Sequence, residues 1–343
     1  MINFAIIGCG HVAKKHADAI DEVDGSQLVA VCDKVEENMN IFTEKHGAKG
    51  YSNFHEMIQD EKIDVVCICT PSGSHALIAE AVASAGKHII MEKPMALTVT
   101  DAERMIQICK ENGVKLAVVH PNRFRPVMME VKKVVEQGLL GKLSHVNATV
   151  RWNRNQTYYD QAEWRGTKEH DGGVLMNQAI HNLDLLLWLF GDIEEVFSMS
   201  DTRLRNIEAE DVSVGVARFK NGALGVIEAA TTIYPENLEE TISIFGEKGT
   251  IKIGGTTANY VEHWDVEAMD DQETNQLIDK VKADPYGKPG HQWIIEDMVH
   301  AIQTDREPIV SGSDGLKALQ LVTSMYESAE RSTKVTIYEK VTN

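Results

Sequence analysis

The chain has 343 residues, 43% hydrophobic and 25% charged, with 8 prolines and 25 glycines. That composition fits a folded globular protein of about two domains and excludes a disordered, collagenous or coiled-coil chain. Its 34 Lys+Arg against 52 Asp+Glu leave a net charge of −18, a field that repels nucleic-acid phosphates and anionic membranes, and no Lys/Arg run gathers a basic patch against it.

Met1 to Ile7 reads as a short buried strand ending at Gly8, too short an apolar run for a signal peptide, and no stretch reaches the ~18 apolar residues of a membrane helix. Gly8-Cys9-Gly10-His11-Val12-Ala13 fits G-x-G-x-x-A directly after that strand and opens a helix on which Ala13, Ala17 and Ile20 recur at helical spacing. In this context Gly8 permits the tight turn, Gly10 lets the backbone approach a pyrophosphate, and Ala13 allows close helix–strand packing. The helix N-terminus attracts the phosphate charge. Leu28 to Asp33 is the next strand, and Asp33 closes it 25 residues after the first glycine. A carboxylate there accepts hydrogen bonds from ribose hydroxyls and repels a 2′-phosphate, so NAD is favoured, while Lys34 beside it keeps NADP open.

Val65 to Thr70, His88 to Glu92 and Leu116 to His120 are further Val/Ile-rich strands. His75 to Ala85 is a helix stopped by Gly86; Thr100 with Glu103 predicts a capping box at the start of another, which stops before Gly113. Alternating βαβ units with continuous apolar strands imply a parallel sheet covered on both faces, with its site at the strand C-terminal ends. Thr70-Pro71-Ser72 and Glu92-Lys93-Pro94 stand at those ends. Lys93 is therefore a catalytic candidate, able to donate a hydrogen bond to a substrate oxygen or to move its proton, against the plain alternative of a solvated loop lysine. The five cysteines, Cys9, Cys32, Cys67, Cys69 and Cys109, sit in apolar stretches without zinc-type pairing, which predicts reduced core thiols in a cytoplasmic protein.

From about Leu143 the pattern changes to long alternating runs. Arg151-Trp152-Asn153-Arg154, Tyr158-Tyr159 and Trp164-Arg165 concentrate arginine and aromatic residues in a very acidic chain, a mixture suited to phosphate or carboxylate and to a stacked sugar or base, or simply to interface packing. After Asp171-Gly172-Gly173, Val174 to Phe190 is helical by period, with Asn177, His181 and Asp184 on one stripe and Leu183, Leu186, Leu187 and Phe190 on the other. Three readings fit that polar stripe: a buried hydrogen-bonded network, a metal site that no further His/Asp cluster supports, or His181 as acid–base residue with Asp184 setting its tautomer. Then Val212, Val214 and Val216 alternate with Ser213 and Gly215, and Asn221-Gly222 predicts a two-residue hairpin into Ala223 to Ile233. Thr241 to Phe245, Gly249 to Ile253 and Asn259 to Trp264 continue a mainly antiparallel sheet.

Gly8-x-Gly10-x-x-Ala13, Glu92-Lys93-Pro94, Asn122-Arg123-Phe124, and Gly172-Gly173 followed by His181-x-x-Asp184, in that order over nearly the whole chain, resemble the glucose-fructose oxidoreductase / inositol dehydrogenase / MocA family. The resemblance implies an α/β protein: an N-terminal Rossmann domain over residues 1–121, then a C-terminal α+β domain over residues 122–343. By the resemblance the latter is the substrate-binding domain, and its large, mainly antiparallel open sheet is expected to join dimers or tetramers. It implies tight NAD(P) binding through Gly8, Gly10, His11, Val12, Asp33, Thr70, Pro71, Ser72, His75, Glu92, Lys93 and Asn122. It also implies a small sugar substrate held by Lys93, Arg123, Trp164, Arg165, Asn177 and His181, and no metal. In that family the residues matching Lys93 and His181 flank the sugar carbon that exchanges hydride, and the proline matching Pro94 is often cis.

Inositol dehydrogenases carry an aspartate four residues before the histidine, where this chain has Asn177. Asn177 joins Arg151-Trp152, Tyr158-Tyr159-Asp160, Trp164-Arg165-Gly166, Asn206-Ile207-Glu208 and Tyr234-Pro235-x-Asn237-Leu238-Glu239. This set is similar to the subgroup that oxidises the 3-hydroxyl of UDP-N-acetylglucosaminuronate, which implies NAD-dependent hydride removal from C3 of such a nucleotide sugar. An inositol or free-aldose dehydrogenase is the alternative within the family. A non-catalytic NAD(P)-sensing regulator is the alternative outside it, and the presence of both Lys93 and His181 argues against that one. An anionic sugar entering a chain of charge −18 requires the arginines near residues 151 to 165 to be gathered together.

Overall fold

Six short apolar strands build the first of two units in the computed structural model, which describes residues 1–337. β1 (Ile2–Ile7), β2 (Ser26–Cys32), β3 (Lys49–Tyr51), β4 (Val65–Ile68), β5 (His88–Met91) and β6 (Leu116–Val118) lie parallel in the order β3-β2-β1-β4-β5-β6. α1 (His11–Glu22), α2 (Glu36–His46), α3 (Phe54–Met57), α4 (His75–Ser84) and α5 (Val99–Glu111) connect them. Helices cover both faces, so the central strands show no polar alternation: Phe4 to Ile7 and Val65 to Ile68 are buried residue after residue. The strand order reverses between β1 and β4, which places Gly8 and Thr70 at the crevice where such sheets bind ligands. α5 starts earlier than the Thr100–Glu103 spacing predicts. Thr98 caps it by accepting the Asp101 N–H at 3.1 Å and donating to the Asp101 carboxylate at 2.7 Å, the same threonine-to-acid spacing two residues upstream.

The second unit takes Asn122–Gly287 and the chain from Lys317 onward. After α6 (Pro126–Glu136), one sheet collects β7 (Leu143–Arg151), β8 (Ile193–Asp201), β9 (Val212–Phe219), β10 (Leu224–Ala230), β11 (Glu239–Gly246), β12 (Gly249–Gly254), β13 (Tyr260–Val266) and β14 (Val335–Thr336). Their order is β13-β12-β11-β7-β10-β9-β8-β14, antiparallel except between β7 and β10. α7 (Gln156–Tyr159) follows β7, a π-helical turn over Val174–Ala179 runs into α8 (Ile180–Phe190), and α9 (Asp271–Ala283) follows β13 behind an Asp270–Glu273 capping box.

The β9–β10 connection is a three-residue loop, not the two-residue turn that Asn221-Gly222 predicts. Phe219 donates to the Ala223 carbonyl at 2.9 Å, and Gly222 takes the left-handed position at φ +90° that closes such a loop. The alternation along β9 is as read, but its valines point outward. Ser213 is buried, whereas Phe197, Met199, Val214, Val216, Leu224 and Val226 are 37–66% exposed. The register sets Phe197 and Val226 beside Val216, and Met199 beside Val214, so these side chains form one apolar patch.

Residues Lys288–Leu316 pack with the first unit, although a single boundary at residue 122 assigns them to the second. α10 (Gly290–Gln303) lies on α1; Gly290 is tight because a Cβ there would overlap Pro121, and Val118 donates to the Val310 carbonyl at 3.0 Å. α11 (Gly312–Arg331) follows. Among the described residues no helix is long and apolar enough to cross a membrane.

Candidate functional site

In the first unit the glycine loop has the shape its sequence requires. Gly8 sits at φ +91°, and a Cβ on it would meet the Cys69 carbonyl and the Thr70 nitrogen at 2.9 Å, whereas Gly10 faces open space, with no heavy atom within 4 Å of where its Cβ would stand. α1 begins at His11 with no side chain capping it, so the N–H groups of its first turn are presented by the backbone alone. His11 is exposed and Val12 half-buried. Asp33 accepts the Cys9 N–H at 2.6 Å on one oxygen and the Val35 N–H at 2.8 Å on the other, which fixes a half-exposed carboxylate against the loop. An uncapped helix start, an open Gly10 and an anchored acid fit a dinucleotide's pyrophosphate and ribose. All five cysteines are buried and free. Burial, with Asp33 adding to it, pushes the Cys9 thiol up to about 12 and the Cys32 thiol up to about 11, so both stay protonated beneath the loop.

The rim of this unit carries Thr70-Pro71-Ser72 and Glu92-Lys93-Pro94. Ser74 donates to Thr70 Oγ1 at 2.8 Å. His75 turns inward, 1% exposed, with Nδ1 2.9 Å from the Pro94 carbonyl and Nε2 2.9 Å from the Thr70 carbonyl. Burial pushes this ring below its usual value, and a neutral imidazole has one N–H, so it holds one of the two carbonyls at a time. Lys93 is half-buried, its peptide bond to Pro94 is cis, and its backbone N–H meets Glu92 Oε2 at 3.2 Å.

In the second unit the polar stripe resolves differently from its spacing. The π-helical turn inserts extra backbone before α8, which rotates Asn177 off a simple α-helical stripe with His181; such turns recur at functional sites. Both side chains are half-buried. Asp184 is 1% exposed and takes Arg123 as a two-point partner, Nε to Oδ2 at 2.8 Å and Nη2 to Oδ1 at 2.5 Å. An arginine 61 residues upstream thus holds this carboxylate. The same pairing commits Arg123, itself 3% exposed and lying over Trp188, to α8. Asn122 beside it is also buried. Asn177 donates to Asp171, whose other oxygen accepts the Gly166 N–H at 2.7 Å.

Glu210 pins the π-helical turn. Its backbone carbonyl accepts the Val174 N–H and its Oε1 accepts the Leu175 N–H and the Tyr326 hydroxyl, each at 2.9 Å, while a Cβ on Gly173 would overlap its carboxylate. Burial pushes its carboxyl up to about 7. Neither Glu210 nor Tyr326 is signalled by the sequence, since each meets the turn only through the fold.

The arginine-aromatic region forms a ladder. Arg154 lies 5.0 Å from the Trp152 ring and 5.3 Å from Tyr158; Arg165 lies 4.4 Å from Tyr158 and 4.8 Å from Trp164, and donates to the Tyr158 hydroxyl at 2.7 Å. Arg151, by contrast, is bound to Glu228 and Glu239. Among the described residues Arg154 and Arg165 have no carboxylate partner, and the Arg165 Nε is buried without a hydrogen-bond partner.

Residues 2–120 match the family model of the oxidoreductases with an NAD-binding Rossmann fold, GFO_IDH_MocA, and residues 128–252 match the GFO/IDH/MocA C-terminal domain. The WlbA dehydrogenase from Bordetella pertussis, solved in complex with NADH and UDP-GlcNAcA, is 38% identical over 99% of this chain and 98% of its own, with a TM-score of 0.92. The WlbA dehydrogenase from Chromobacterium violaceum, solved with the same two ligands, is 34% identical over 98% and 96%, with a TM-score of 0.93. A myo-inositol 2-dehydrogenase from Thermotoga maritima is 28% identical over 99% of this chain and 100% of its own.

Proposed function

The chain belongs to the GFO/IDH/MocA family of NAD-binding oxidoreductases, and on that premise we propose that it oxidises a sugar hydroxyl at C3 of a UDP-N-acetylglucosaminuronate-type nucleotide sugar. The observation that carries the substrate class is the pair Arg154 and Arg165, converging on Tyr158 without a carboxylate partner among the described residues of a chain with net charge −18. Arg123 and Arg151, by contrast, are neutralised internally by Asp184 and by Glu228 with Glu239. Two guanidiniums set against aromatic faces and neutral acceptors, Asn153, Asn237 and Tyr158, instead of carboxylates are suited to a diphosphate or a carboxylate. The two dehydrogenases solved with UDP-GlcNAcA support this choice.

Gly8 and Gly10 would admit the pyrophosphate of NAD, the backbone of His11 and Val12 would face it, Asp33 would receive the ribose hydroxyls, and the rim at Thr70-Pro71-Ser72, with Asn122, would complete the set; the bound cofactor would supply the hydride acceptor. Lys93 and His181 are the candidate bases: one takes the hydroxyl proton as the C–H bond gives up its electron pair, leaving a ketone. Arg165, with Trp164 and Asn177, holds the sugar nucleotide. NADH formation measured across UDP-N-acetylglucosaminuronate, UDP-N-acetylglucosamine, myo-inositol and free aldoses tests the reading. The uronate should be preferred, and Arg165→Ala should raise its KM at least tenfold while leaving the KM for NAD unchanged. Turnover of myo-inositol alone would replace this reading with the polyol one, which the Thermotoga relative supports and Asn177 opposes. The apolar patch on β8–β10 is the surface proposed to join subunits into a homodimer or homotetramer.

A further inference from the structure

Beneath the Glu92-Lys93-Pro94 turn lies a buried cluster that the reaction itself does not use. Glu92, 6% exposed, has Oε1 at 2.8 Å from His16 Nε2 on α1 and at 3.5 Å from His291 Nε2 on α10. The two imidazoles meet edge to face at 5.0 Å. The second oxygen of Glu92 is on the backbone N–H of Lys93 at 3.2 Å. Burial opposes ionisation of this carboxyl, yet hydrogen bonds and charge from His16 and His291 outweigh it and hold it well below the usual carboxylate range. On the far side of the turn His75 Nδ1 lies 2.9 Å from the Pro94 carbonyl.

We propose that His16, Glu92 and His291 are positioning residues for Lys93. His16 hydrogen-bonds one carboxylate oxygen, His291 closes over the same oxygen as an ion-pair neighbour, and the other oxygen holds the peptide N–H entering Lys93, so the ε-amine projects from a turn anchored to this cluster. The arrangement also gives the return of residues 288–316 to the first unit a purpose, because α10 delivers His291 to a cluster otherwise built from α1 and the residue that follows β5. A buried pair kept for stability alone would not need its second carboxylate oxygen on the catalytic turn, nor a second histidine from a distant segment. The inference rests on the acid–base role of Lys93 proposed above.

A double-mutant cycle separates the two. His291→Gln and Glu92→Gln, each alone and each combined with Lys93→Ala, are assayed on the substrate that the panel above identifies, with NADH affinity measured by fluorescence titration. Each single variant should lower kcat about 10- to 100-fold, of the order that a misplacement near 1 Å produces, and flatten the alkaline limb of the kcat–pH profile, and His291→Gln should leave NADH affinity within twofold. In the Lys93→Ala background each should cost nothing further, since its effect runs through Lys93. Full, additive losses in that background overturn the positioning role while leaving the Lys93 reading intact. A Lys93→Ala enzyme with wild-type kcat defeats the Lys93 reading itself. Should His291→Gln fail to fold, the nearly isosteric Glu92→Gln carries the cycle. One equivalent of zinc in the purified protein, lost in His291→Gln, would overturn the hydrogen-bonded relay in favour of a metal held by the same three side chains.

Discussion

Replacing Glu210 by glutamine should make the protein more stable at alkaline pH and leave it little changed in acid. The carboxyl is 9% exposed, receives the Leu175 N–H and the Tyr326 hydroxyl on one oxygen, and titrates at about 7 instead of the ordinary 4.5 because burial, assisted by the neighbouring Asp211 charge, disfavours its ionised form. Below pH 4.5 folded and unfolded chains both carry the proton, and stability does not depend on this group. Between about 4.5 and about 7 the unfolded chain has lost the proton and the folded chain keeps it, so rising pH favours unfolding. Above about 7 the penalty is complete, at roughly 3 kcal/mol from 1.36 kcal/mol per pH unit of displacement. Glutamine keeps an acceptor for both donors and never ionises. Urea unfolding at fixed protein concentration, followed by tryptophan fluorescence, reads the relevant unit because Trp152, Trp164, Trp188 and Trp264 lie in the second and only Trp293 in the first. The stability difference between variant and wild type should grow by roughly 3 kcal/mol from pH 4.5 to pH 8. A difference that stays constant over that interval refutes the argument that Glu210 is buried in its protonated form under the π-helical turn.

Asp184→Asn should destabilise the second unit by about 3–5 kcal/mol, because it leaves the guanidinium of Arg123 buried without its anion; a loss below about 1 kcal/mol in thermal unfolding would mean the pair is not buried as described. Gly8→Ala should weaken NADH binding roughly 10- to 100-fold, the equivalent of the 1–3 kcal/mol that a left-handed non-glycine residue costs, and unchanged affinity in a fluorescence titration would contradict the close approach to Cys69 and Thr70. Wild-type protein should sediment as the dimer or tetramer proposed above, and Val216→Asp, at the centre of the exposed patch, should sediment as a smaller species without loss of folded structure. Retention of the wild-type sedimentation coefficient would remove β8–β10 from the interface.

The first unit was the more legible in sequence because its signals are local. A strand, a glycine triad, a helix and an acid follow one another within residues 1–33, and each step of that run has a backbone reason visible in the structure. The same locality explains the misplacements. Thr98 and Thr100 offer equivalent capping spacings, and Asn221-Gly222 serves a three-residue loop as readily as a two-residue one. Residues 288–316 carry no mark of belonging with α1, since what binds them there is the fit of Gly290 against Pro121 and a bridge from Ala117 to Ser311. Alternation along β9 likewise gives the period but not the sense: nothing in Val-Ser-Val-Gly-Val says that the small polar face is the buried one.

The substrate half was legible in composition but not in assignment, and the arginines show why. Arg151 and Arg154 are three residues apart and indistinguishable by type, yet their fates are opposite. Arg151 is the last residue of β7, directly across from Glu239 on β11 and within reach of Glu228 on β10, partners 88 and 77 residues away that only the sheet register brings together. Arg154 lies beyond the strand end, outside that register, where Trp152 and Tyr158 flank it instead. In a chain with 52 acidic residues, Arg104, Arg123, Arg151, Arg203 and Arg218 each find an internal carboxylate. An arginine that does not is therefore more informative than the net charge, which predicts only repulsion of anions. On the function proposed above, the pair at Arg154 and Arg165 reconciles an acidic protein with an acidic substrate: the field at long range disfavours polyanions in general, and two guanidiniums in one aromatic ladder would select the small one whose charges they can match.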